Sequence, residues 1–323
     1  MSSFITESTH CVVCGSSEGR AVASGYDYIY SGSSQISTAW SCTSCRHVYL
    51  NPRPVADEIA ILYPNNYASF SGKFVKNTSL IARMKEYTMI RRIRKYLESL
   101  PQKKSRFLDI GCGDGQLLEA VKRLYPNIEV HGLDWKFEPE LRFRLEQQGI
   151  ILHESMLENV NLPESSYDLI TMHQLIEHLW EPRYCLKMVH HILSPQGRLI
   201  LTTPDIDGYD RHLFMSGLWG GYYFPRHLNL FSRVLLERLL IDCGLAVEES
   251  RSLVAPIIWC YSFKAWLKVK FPKFNRLHNI CDVHNIPLMI IFSVIDIMAM
   301  YTGMRTSNQL LTVRPATNIR QRT

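Results

Sequence analysis

Short apolar runs alternate with longer stretches of helical spacing through the middle of the chain. The runs fall at residues 107–110, 128–134, 150–162, 166–173 and 199–205. A further run at residues 309–313 lies near the end. Strands that alternate with helices predict an α/β fold, in which an open, mainly parallel sheet carries helices on both faces.

The first of these runs leads into a glycine-rich turn. It ends in Asp109, and Gly111, Gly113 and Gly115 follow at alternate positions before a segment of helical spacing. Glycine has no Cβ, so the backbone can bend tightly and a ligand can approach it closely. The order of strand, turn and helix start is the one that a nucleotide-type ligand requires. The spacing is D-x-G-x-G-x-G, which differs from the G-x-G-x-x-G of dinucleotide folds.

The second run also ends in an acid, Asp134. An acid about twenty residues after a glycine-rich loop can accept hydrogen bonds from two vicinal ribose hydroxyls, one on each carboxylate oxygen. The alternative is an ordinary solvent-facing aspartate at a strand end. The glycine turn upstream favours the ligand-binding interpretation.

Two C-x-x-C motifs lie near the start of the chain, Cys11 with Cys14 and Cys42 with Cys45. Each motif can present two thiolates to one ion, and the pair completes a tetrahedral site. We predict a zinc ribbon whose metal is structural, because four thiolates leave no open position for chemistry. His47 is a less favoured ligand in place of Cys45. A redox function is the alternative, but a thioredoxin-like motif would not be doubled.

Composition is that of a globular protein: 46% of the 323 residues are hydrophobic and 20% are charged. The net charge of +6 suits an anionic substrate or membrane surface and falls short of a typical nucleic-acid-binding protein. Residues 1–10 are polar and lack a signal-peptide core, from which we expect a cytoplasmic protein with reduced cysteines.

Helices are predicted outside the alternating region as well. Residues 79–100 form a basic amphipathic pattern, and Ser232 is a predicted N-cap for a helix over 234–243 that Gly244 ends. Residues 287–300 are strongly apolar but too few to cross a bilayer. We expect a buried helix, a substrate lid or a dimer face there. In residues 259–274 aromatic side chains alternate with lysines, so peripheral membrane contact is a further expectation.

The glycine motif resembles motif I of the class I S-adenosylmethionine-dependent methyltransferases. The L-N-P-R-P stretch after the second C-x-x-C, followed by Tyr63 and Tyr67, resembles the linker of bacterial members of that class with an N-terminal zinc ribbon. The resemblance implies a Rossmann-like seven-stranded methyltransferase sheet, a small zinc-ribbon module and a helical C-terminal insertion. The corresponding ranges are 1–54 for the ribbon, 55–100 for a helical linker and 101–323 for the catalytic domain, with 252–303 as the insertion.

The resemblance also implies a set of ligand-binding residues. Asp109 would hold the amino group of S-adenosylmethionine, Asp134 its ribose, and Trp135 would flank the adenine. The backbone amides of Met156 and Leu157 would face the adenine edge, since the acid common in this loop is absent here. The full expected set is Asp109, Gly111, Cys112, Gly113, Gly115, Asp134, Trp135, Met156, Leu157, His173 and Gln174.

Two further segments, residues 174–178 and 226–232, contain candidate catalytic residues. The segment after the fourth run, Gln174-Leu-Ile-Glu177-His178, resembles the E-x-x-E-H pattern of ubiquinone and small-RNA O-methyltransferases, and Arg226-His227-Leu-x-x-Phe-Ser resembles a second motif of this group. We expect a helix over 174–191 that brings Gln174, Glu177 and His178 to one face. His178 and His227 are candidate general bases, and Glu177 is included with them. In the resemblance a divalent metal can bind there, although Gln174 replaces the first acid. A purely structural role is the third alternative.

The expected function is methyl transfer to an oxygen or carbon atom of a small-molecule or glycoconjugate, sugar-type acceptor. RNA methylation is the first alternative, but residues 11–45 contain few basic side chains. A non-catalytic binding protein on the same fold is the second. We expect no specific nucleic-acid partner, and the apolar segment leaves a homodimer open.

Overall fold

The computed structural model describes residues 3–30, 33–63, 80–101, 105–214, 217–274, 278, 280–282 and 284–316. The predicted linker therefore lies partly outside the described residues, and Tyr67 lies wholly outside them. The strands are β1 Thr6–Glu7, β2 Gly19–Gly25, β3 Ser37–Cys42, β4 Val48–Leu50, β5 Arg53–Pro54, β6 Arg106–Ile110, β7 Glu129–Asp134, β8 Ile151–Glu154, β9 Tyr167–His173, β10 Leu193–Pro204, β11 Asn229–Leu230, β12 Leu245–Ser252 and β13 Asn308–Pro315.

Several α-helices begin with a proline in their first turn, where the missing amide hydrogen would be unpaired in any case. They are α1 Ile59–Leu62, α2 Leu80–Ser99, α3 Gln116–Leu124, α4 Pro139–Gln147, α5 Pro182–Ile192, α6 Arg233–Asp242, α7 Pro256–Lys270 and α8 Ile286–Tyr301. Among the helices that the structure describes, none combines the length and the apolar character needed to cross a bilayer.

Seven strands form one sheet in the order β12-β13-β10-β9-β6-β7-β8. Pairing is parallel from β10 through β8, and β13 runs antiparallel to both of its neighbours. The chain moves outward from β6 to β8 and then returns to β9, so the order reverses between β6 and β9. In open α/β sheets this switch point opens a crevice at the carboxyl ends of the strands.

Helices cover both faces of the sheet, as predicted. Consecutive residues of β6 point to opposite faces, so Phe107 and Leu108 enter different cores. Phe107 packs with Ile93 of α2 and Leu118 of α3. Leu108 lies in the core that contains residues of α5 and α6, and Cys11 and Tyr49 of the ribbon belong to that same core.

The ribbon is joined to the larger domain by backbone pairing. Strands β2, β3 and β4 form a sheet whose fourth strand is β11, from the motif around His227. Val48 pairs with Leu230, and Tyr49 pairs with Asn229. The segment 1–54 thus shares a sheet with residues far along the chain.

The helix expected over 174–191 is wrong in its first part. Gln174 adopts a left-handed conformation with φ +51°, residues Ile176–His178 form a single 3-10 turn, and α5 begins only at Pro182. Proline disfavours helical backbone in the residue before it and is favoured at the first helical position. Pro182 therefore marks the start of the helix.

The structure contradicts one of the three alternatives given for residues 287–300, the buried helix, and leaves the lid and the dimer face untested. The described helix α8 is not fully buried: Phe292, Asp296 and Ala299 face inward, whereas Ile290, Val294 and several neighbours are exposed. The predicted cap of α6 is confirmed, since Ser232 Oγ accepts a hydrogen bond from the Leu235 amide at 3.3 Å. The predicted final strand is confirmed as β13.

Candidate active site

The glycine turn lies at the carboxyl end of β6, where the sheet order reverses. Gly111, Gly113 and Gly115 have φ values of +73°, +53° and +72°, which residues with a Cβ adopt at a cost. The Gly111 amide donates to the Leu133 carbonyl at 2.8 Å. The Gly113 amide donates to Asp134 Oδ2 at 2.8 Å. The end of β7 thereby holds the turn in place.

Asp134 is buried at the end of β7, and both of its oxygens already accept backbone hydrogen bonds. Trp135 N donates to Oδ1 at 2.8 Å, while Gly113 N donates to Oδ2. Burial raises the pKa of Asp134 to about 6, against the lowering effect of these amides. These amides and that of Lys136 leave at least one of the four lone-pair positions of the carboxylate to accept a hydrogen bond from a ligand hydroxyl.

Asp109 is buried beside the turn at the last position but one of β6. Its Oδ1 accepts a hydrogen bond of 2.6 Å from Thr171 Oγ1, on the neighbouring strand β9. Asp109 is paired in register with Thr171 on one side and Gly132 on the other. A Cβ at Gly132 would lie 2.5 Å from Leu118, so glycine is needed for α3 to pack close to the sheet.

The remaining predicted cofactor residues are divided between the crevice rim and the core. Trp135 is half-buried next to Asp134. The Ser155 amide donates to the Asp134 carbonyl at 2.9 Å, which places the loop after β8 beside the same crevice. The Leu157 side chain is buried in the core, and Met156 packs against the apolar cluster that contains Trp180.

His173 and Gln174 contact strand β10. His173 Nδ1 lies 3.1 Å from Thr202 Oγ1, and Gln174 Nε2 donates to Thr202 Oγ1 and to Asn308 Oδ1. Burial, followed by the charge of Arg92, lowers the pKa of His173 to about 3. Glu177 instead bonds to Thr203, and adjacent strand residues point to opposite faces. The predicted convergence of Gln174 with Glu177 is therefore wrong.

Glu177, His178 and His227 do come together, as the motifs indicated. One ligand atom of each lies within 4.8 Å of those of the other two. His227 Nε2 is 4.0 Å from Glu177 Oε1, and the two imidazole rings stand 4.7 Å apart, edge to face. Glu177 is fully buried, and its Oε2 accepts a hydrogen bond from Thr203 Oγ1 at 2.8 Å.

Backbone carbonyls determine the tautomers of both histidines. His178 Nδ1 lies 3.0 Å from the Arg226 carbonyl, and His227 Nδ1 lies 2.7 Å from the Gly221 carbonyl. A carbonyl can only accept, so each Nδ1 carries the proton and each Nε2 keeps a free lone pair. Burial lowers the pKa of His178 to about 4 and that of His227 well below its usual value, so both rings are neutral at pH 7.

The pKa of Glu177 shifts in the opposite direction to those of the two histidines, because burial disfavours the charged form of each group. Burial raises the pKa of Glu177 to about 8. Among the described residues, its Oε1 is buried and has no hydrogen-bond partner. A buried oxygen beside an imidazole lone pair is unfavourable unless a proton or a cation lies between them.

Several residues that complete this site were not among the predicted site residues. The Tyr63 hydroxyl lies 2.9 Å from His178 Nδ1, and Thr203 supports Glu177. Arg226, at the start of the second motif, forms a fully buried ion pair of 2.8 Å with Asp27 of the ribbon. An arginine directly before a candidate catalytic histidine is the one signal that the sequence offers here. The aspartate that pairs with it lies in a loop without a motif.

The four cysteines converge as the C-x-x-C spacing predicted. Their sulfur atoms all lie within 4.8 Å of one another, with 3.4 Å between Cys11 and Cys45 and 3.5 Å between Cys14 and Cys42. His47, the less favoured ligand, instead points to Asn229 Oδ1 at 3.4 Å and stacks on Tyr49.

The strand order and the glycine turn at its switch point define a Rossmann-like methyltransferase fold. A solved structure with this fold is the phosphoethanolamine N-methyltransferase 2 of Haemonchus contortus, in complex with phosphomonomethylethanolamine and S-adenosylhomocysteine. It superposes with a TM-score of 0.53 over 92% of this chain and 68% of that chain, at 12% sequence identity.

The family follows from the sequence comparison. Residues 81–250, slightly more than half of the chain, match a family model described as a methyltransferase domain. Ubiquinone biosynthesis O-methyltransferases are similar to this chain. The protein from Aeromonas salmonicida is 31% identical over 30% of this chain and 42% of its own length, and that from Cereibacter sphaeroides is 26% identical over 51% and 70%. The chain belongs to the class I S-adenosylmethionine-dependent methyltransferases.

Proposed function

We propose that this protein transfers the methyl group of S-adenosylmethionine to a hydroxyl oxygen of a small-molecule acceptor. The observation that carries the proposal is the cluster of Glu177, His178 and His227, which follows directly on the β9 end of the cofactor crevice. Methyl transfer from a sulfonium requires alignment of the acceptor and, for a hydroxyl group, removal of its proton. The similarity to O-methyltransferases of ubiquinone biosynthesis supports an oxygen acceptor.

Within this proposal the crevice residues hold the cofactor. Asp134 accepts hydrogen bonds from the ribose hydroxyls, and Asp109 accepts one from the amino group of the methionine part. Gly111, Gly113 and Gly115 admit the ligand to backbone contact, with Cys112 between them. Trp135 and the backbone of Met156 and Leu157 surround the adenine, and His173 and Gln174 close the side next to β10.

His227 is the proposed general base. Its Nδ1 proton is held by the Gly221 carbonyl, so the free Nε2 lone pair can accept a proton from the acceptor hydroxyl. His178 is fixed in the same tautomer beside it. Protonation of His227 places a positive charge next to Glu177, which favours release of the Glu177 proton, and the resulting carboxylate stabilises that charge.

The same three residues also fit a divalent cation. Two histidines with Nδ1 bound to carbonyls and a buried carboxylate oxygen without a partner among the described residues form a suitable donor set. We propose that Glu177, His178 and His227 would hold such an ion, which would lower the pKa of a bound acceptor hydroxyl. Calorimetry with Mn²⁺ should show binding to the wild type that Glu177→Gln weakens at least tenfold; equal affinity in the variant would exclude this site.

The proposed role of the four cysteines is to hold one structural zinc ion. The sulfur positions suit a closed four-thiolate shell, which folds a small module that buries little apolar surface. Elemental analysis should return one zinc per chain, and none in a variant with Cys42→Ser and Cys45→Ser. Purified wild type without zinc would contradict the assignment.

The RNA alternative has less support. Between residues 11 and 45 the sequence has one basic side chain, Arg20, beside the acids Glu18 and Asp27. Binding of nucleic acid through the ribbon would call for a concentrated basic surface. A non-catalytic role is also disfavoured, because the glycine turn and Asp134 retain a geometry suited to the cofactor.

Calorimetry with S-adenosylhomocysteine tests the proposed function. The wild type should bind, and Gly113→Arg should abolish binding because a side chain would fill the space left for the ligand and strain a residue with φ +53°. Gly303→Arg is the matched control: Gly303 also has a positive φ, +82°, but a Cβ there would meet no atom within 4 Å. Unaltered affinity of Gly113→Arg for S-adenosylhomocysteine would show that the crevice is not the cofactor site.

A further inference from the structure

The two histidines of the proposed reaction centre lie on segments that the ribbon joins together. Leu228 directly follows His227, and its amide donates to the Glu177 carbonyl at 2.8 Å. Glu177 directly precedes His178. The amide of Leu50, in strand β4 of the ribbon, donates to the Leu228 carbonyl at 2.9 Å. The backbone of Leu228 therefore connects both histidine segments to each other and to the ribbon.

The side chain of Arg226 extends from the histidine motif into the N-terminal part of the chain. Its guanidinium donates to Asp27 Oδ2 at 2.8 Å and to the Leu62 carbonyl at 2.6 Å, and it lies 4.7 Å from the ring centroid of Tyr30. The side chains of Arg226 and Asp27 are each 1% exposed. Removing one partner of such a pair leaves an uncompensated buried charge, which is costly. The Asp27 carboxylate therefore fixes the position of Arg226.

Asp27 is itself held by the hairpin loop of the ribbon that carries it. Its Oδ1 accepts hydrogen bonds from the Ile29 amide at 3.1 Å and from the Tyr30 amide at 2.9 Å. The ribbon also packs directly against the larger domain at the start of this loop, since a Cβ at Gly217 would lie 2.1 Å from the Ser24 carbonyl oxygen. The loop therefore presents the carboxylate at a fixed position.

The backbone just before His227 adopts a turn that needs support from outside. Tyr223 has φ +40°, in the left-handed region that residues with a Cβ adopt at a cost. The Arg226 amide closes the turn by donating to the Tyr223 carbonyl at 2.9 Å, and the Arg226 guanidinium lies 5.3 Å from the Tyr223 ring centroid. Strained backbone persists only where the surrounding contacts hold it. We therefore expect the turn to relax when Arg226 loses Asp27.

The backbone around this turn supplies the carbonyls that orient both histidines. The Arg226 carbonyl lies 3.0 Å from His178 Nδ1, and the Gly221 carbonyl lies 2.7 Å from His227 Nδ1. The hydroxyl oxygen of Tyr63 lies 2.9 Å from the same His178 Nδ1. A displaced Arg226 carbonyl would no longer hold the proton on Nδ1, and the neutral ring could carry it on Nε2 instead. An Nε2 that carries the proton has no lone pair to offer to a substrate.

We propose that Asp27 is a positioning residue of the methyltransferase, through which the ribbon holds the reaction centre in order. Asp27 acts through Arg226: the Arg226 carbonyl keeps the proton on Nδ1 of His178, and the position of Arg226 determines that of His227, the next residue. The ribbon then contributes to the reaction as well as to the fold. This inference rests on the proposed function, which assigns the two histidines to the reaction. A purely structural Asp27 would contribute stability and leave the histidine tautomers unchanged.

Long-range proton–nitrogen NMR at pH 7 tests this, because it shows which ring nitrogen of a neutral histidine carries the proton. The sample is the full-length protein with nitrogen-15 in its histidines and S-adenosylhomocysteine bound, and His178→Gln and His227→Gln assign the two signals. The wild type should show both rings with the proton on Nδ1. Asp27→Asn should lower that population of His178 at least twofold.

Two further variants complete the experiment. Arg226→Lys keeps the positive charge but loses the forked guanidinium, and it should shift the tautomer of His178 in the same direction as Asp27→Asn. Glu7→Gln is the matched control, because it makes the same change from acid to amide at a ribbon ion pair of 2.9 Å, with Arg53 in place of Arg226. It should leave both histidine signals as in the wild type.

Calorimetry with S-adenosylhomocysteine on the same samples separates this proposal from the proposed function. A variant whose affinity is within twofold of the wild type has an intact fold and crevice. Unchanged tautomers in such a variant of Asp27 or Arg226, or the same change in the Glu7→Gln control, would overturn the positioning role and leave the proposed function standing. Loss of cofactor binding in both Asp27→Asn and Arg226→Lys would also overturn it, because the pair would then hold the fold as a whole. A wild type that does not bind the cofactor would instead overturn the proposed function.

Discussion

Two buried acids, Asp134 in the crevice and Glu177 in the cluster beside it, show how strongly burial decides the chemistry of a single side chain. Asp134 and Glu177 both have raised pKa values because they are withdrawn from water. The amides of Gly113, Trp135 and Lys136 donate hydrogen bonds to Asp134 that favour its charged form, and its pKa rises only to about 6. Glu177 receives hydrogen bonds from its own amide and from Thr203, and its pKa rises to about 8. At pH 7 the free protein therefore carries Asp134 mainly ionised and Glu177 mainly protonated.

The pKa of Asp134 predicts how cofactor affinity depends on pH. In the proposed complex the ribose hydroxyls donate to Asp134, so binding favours the carboxylate. As pH falls through about 6 the carboxylate takes up a proton, and the affinity for the cofactor should decrease. Well below pH 6 the affinity for the cofactor should fall about tenfold for each pH unit. Calorimetry with S-adenosylhomocysteine between about pH 5 and 8 measures this.

Asp134→Asn is the matched variant for that experiment. In mildly alkaline buffer the variant should bind S-adenosylhomocysteine more weakly than the wild type. Its affinity should also depend less on pH, because the amide does not titrate in this range. A wild-type affinity that stays constant across the whole pH series would show that Asp134 does not contact the ligand.

Local sequence pattern identified the acids of the crevice but not the hydrogen-bond partners around the proposed reaction centre. Asp109, Asp134 and the three glycines could be located from spacing, because each stands at or just after the end of an apolar run. Tyr63 and Asp27 could not, since each is brought to the site by packing between distant segments. Glu177 and His178 were found by their motif, but the wrong helix assignment gave a wrong reason for their proximity.

At the scale of elements, turns and caps decided where helices begin. Ser232 and Gly244 bound α6 as predicted, because both act within one turn of the helix. The predicted start of α5 is too early because the apolar periodicity continues across the 3-10 turn at Ile176–His178, whereas Pro182 sets the actual start. The burial of α8 depends on tertiary packing, which periodicity alone does not determine.

Asp296 attaches α8 to the rest of the protein. It is fully buried, and its oxygens accept hydrogen bonds from the Ala255 amide at 2.6 Å, from Trp259 Nε1 at 2.9 Å and from the Tyr209 hydroxyl at 3.2 Å. Asp296→Asn replaces one carboxylate oxygen, which accepts hydrogen bonds, by an NH₂ group that faces hydrogen-bond donors and leaves at least one of them unpaired. We expect a loss of about 2–3 kcal/mol in the free energy of unfolding, measured by urea denaturation.

Ser293→Ala provides the comparison on the same helix. The Ser293 hydroxyl donates to the Met289 carbonyl within the helix, so its loss should cost less than about 0.5 kcal/mol. Equal stabilities of Asp296→Asn and Ser293→Ala would show that the buried acid does not anchor α8.

At the scale of the whole molecule, one surface is both apolar and basic. The second half of α7 and the residues after it expose Trp266, Val269, Phe271 and Phe274. The same stretch, residues 259–274, carries the lysines 264, 268, 270 and 273 and no acidic residue. Apolar side chains among lysines suit the surface of an anionic membrane.

Vesicle sedimentation checks this prediction of membrane contact. The protein should pellet with phosphatidylcholine vesicles that contain phosphatidylglycerol and remain in solution with phosphatidylcholine alone. Replacing Lys270 and Lys273 by Glu should reduce binding at least tenfold, since each lysine near an anionic surface contributes about 1 kcal/mol. Phe143→Ser, at an exposed phenylalanine of α4, should have no effect.

Two results would contradict membrane contact. One is the absence of binding to either vesicle. The other is a stable dimer in analytical ultracentrifugation that the double lysine variant dissociates, because this surface would then be covered by a second copy.

The pairing of β4 with β11 sets a practical limit on how the protein can be divided or recombined. A clone beginning after residue 54 would leave Asn229 and Leu230 with an open strand edge and Arg226 with a buried charge lacking its counterion. Exchanging ribbons between relatives therefore requires transplanting residues 217–230 together with the first 54, because the two stretches share a sheet, a buried ion pair and close backbone contacts.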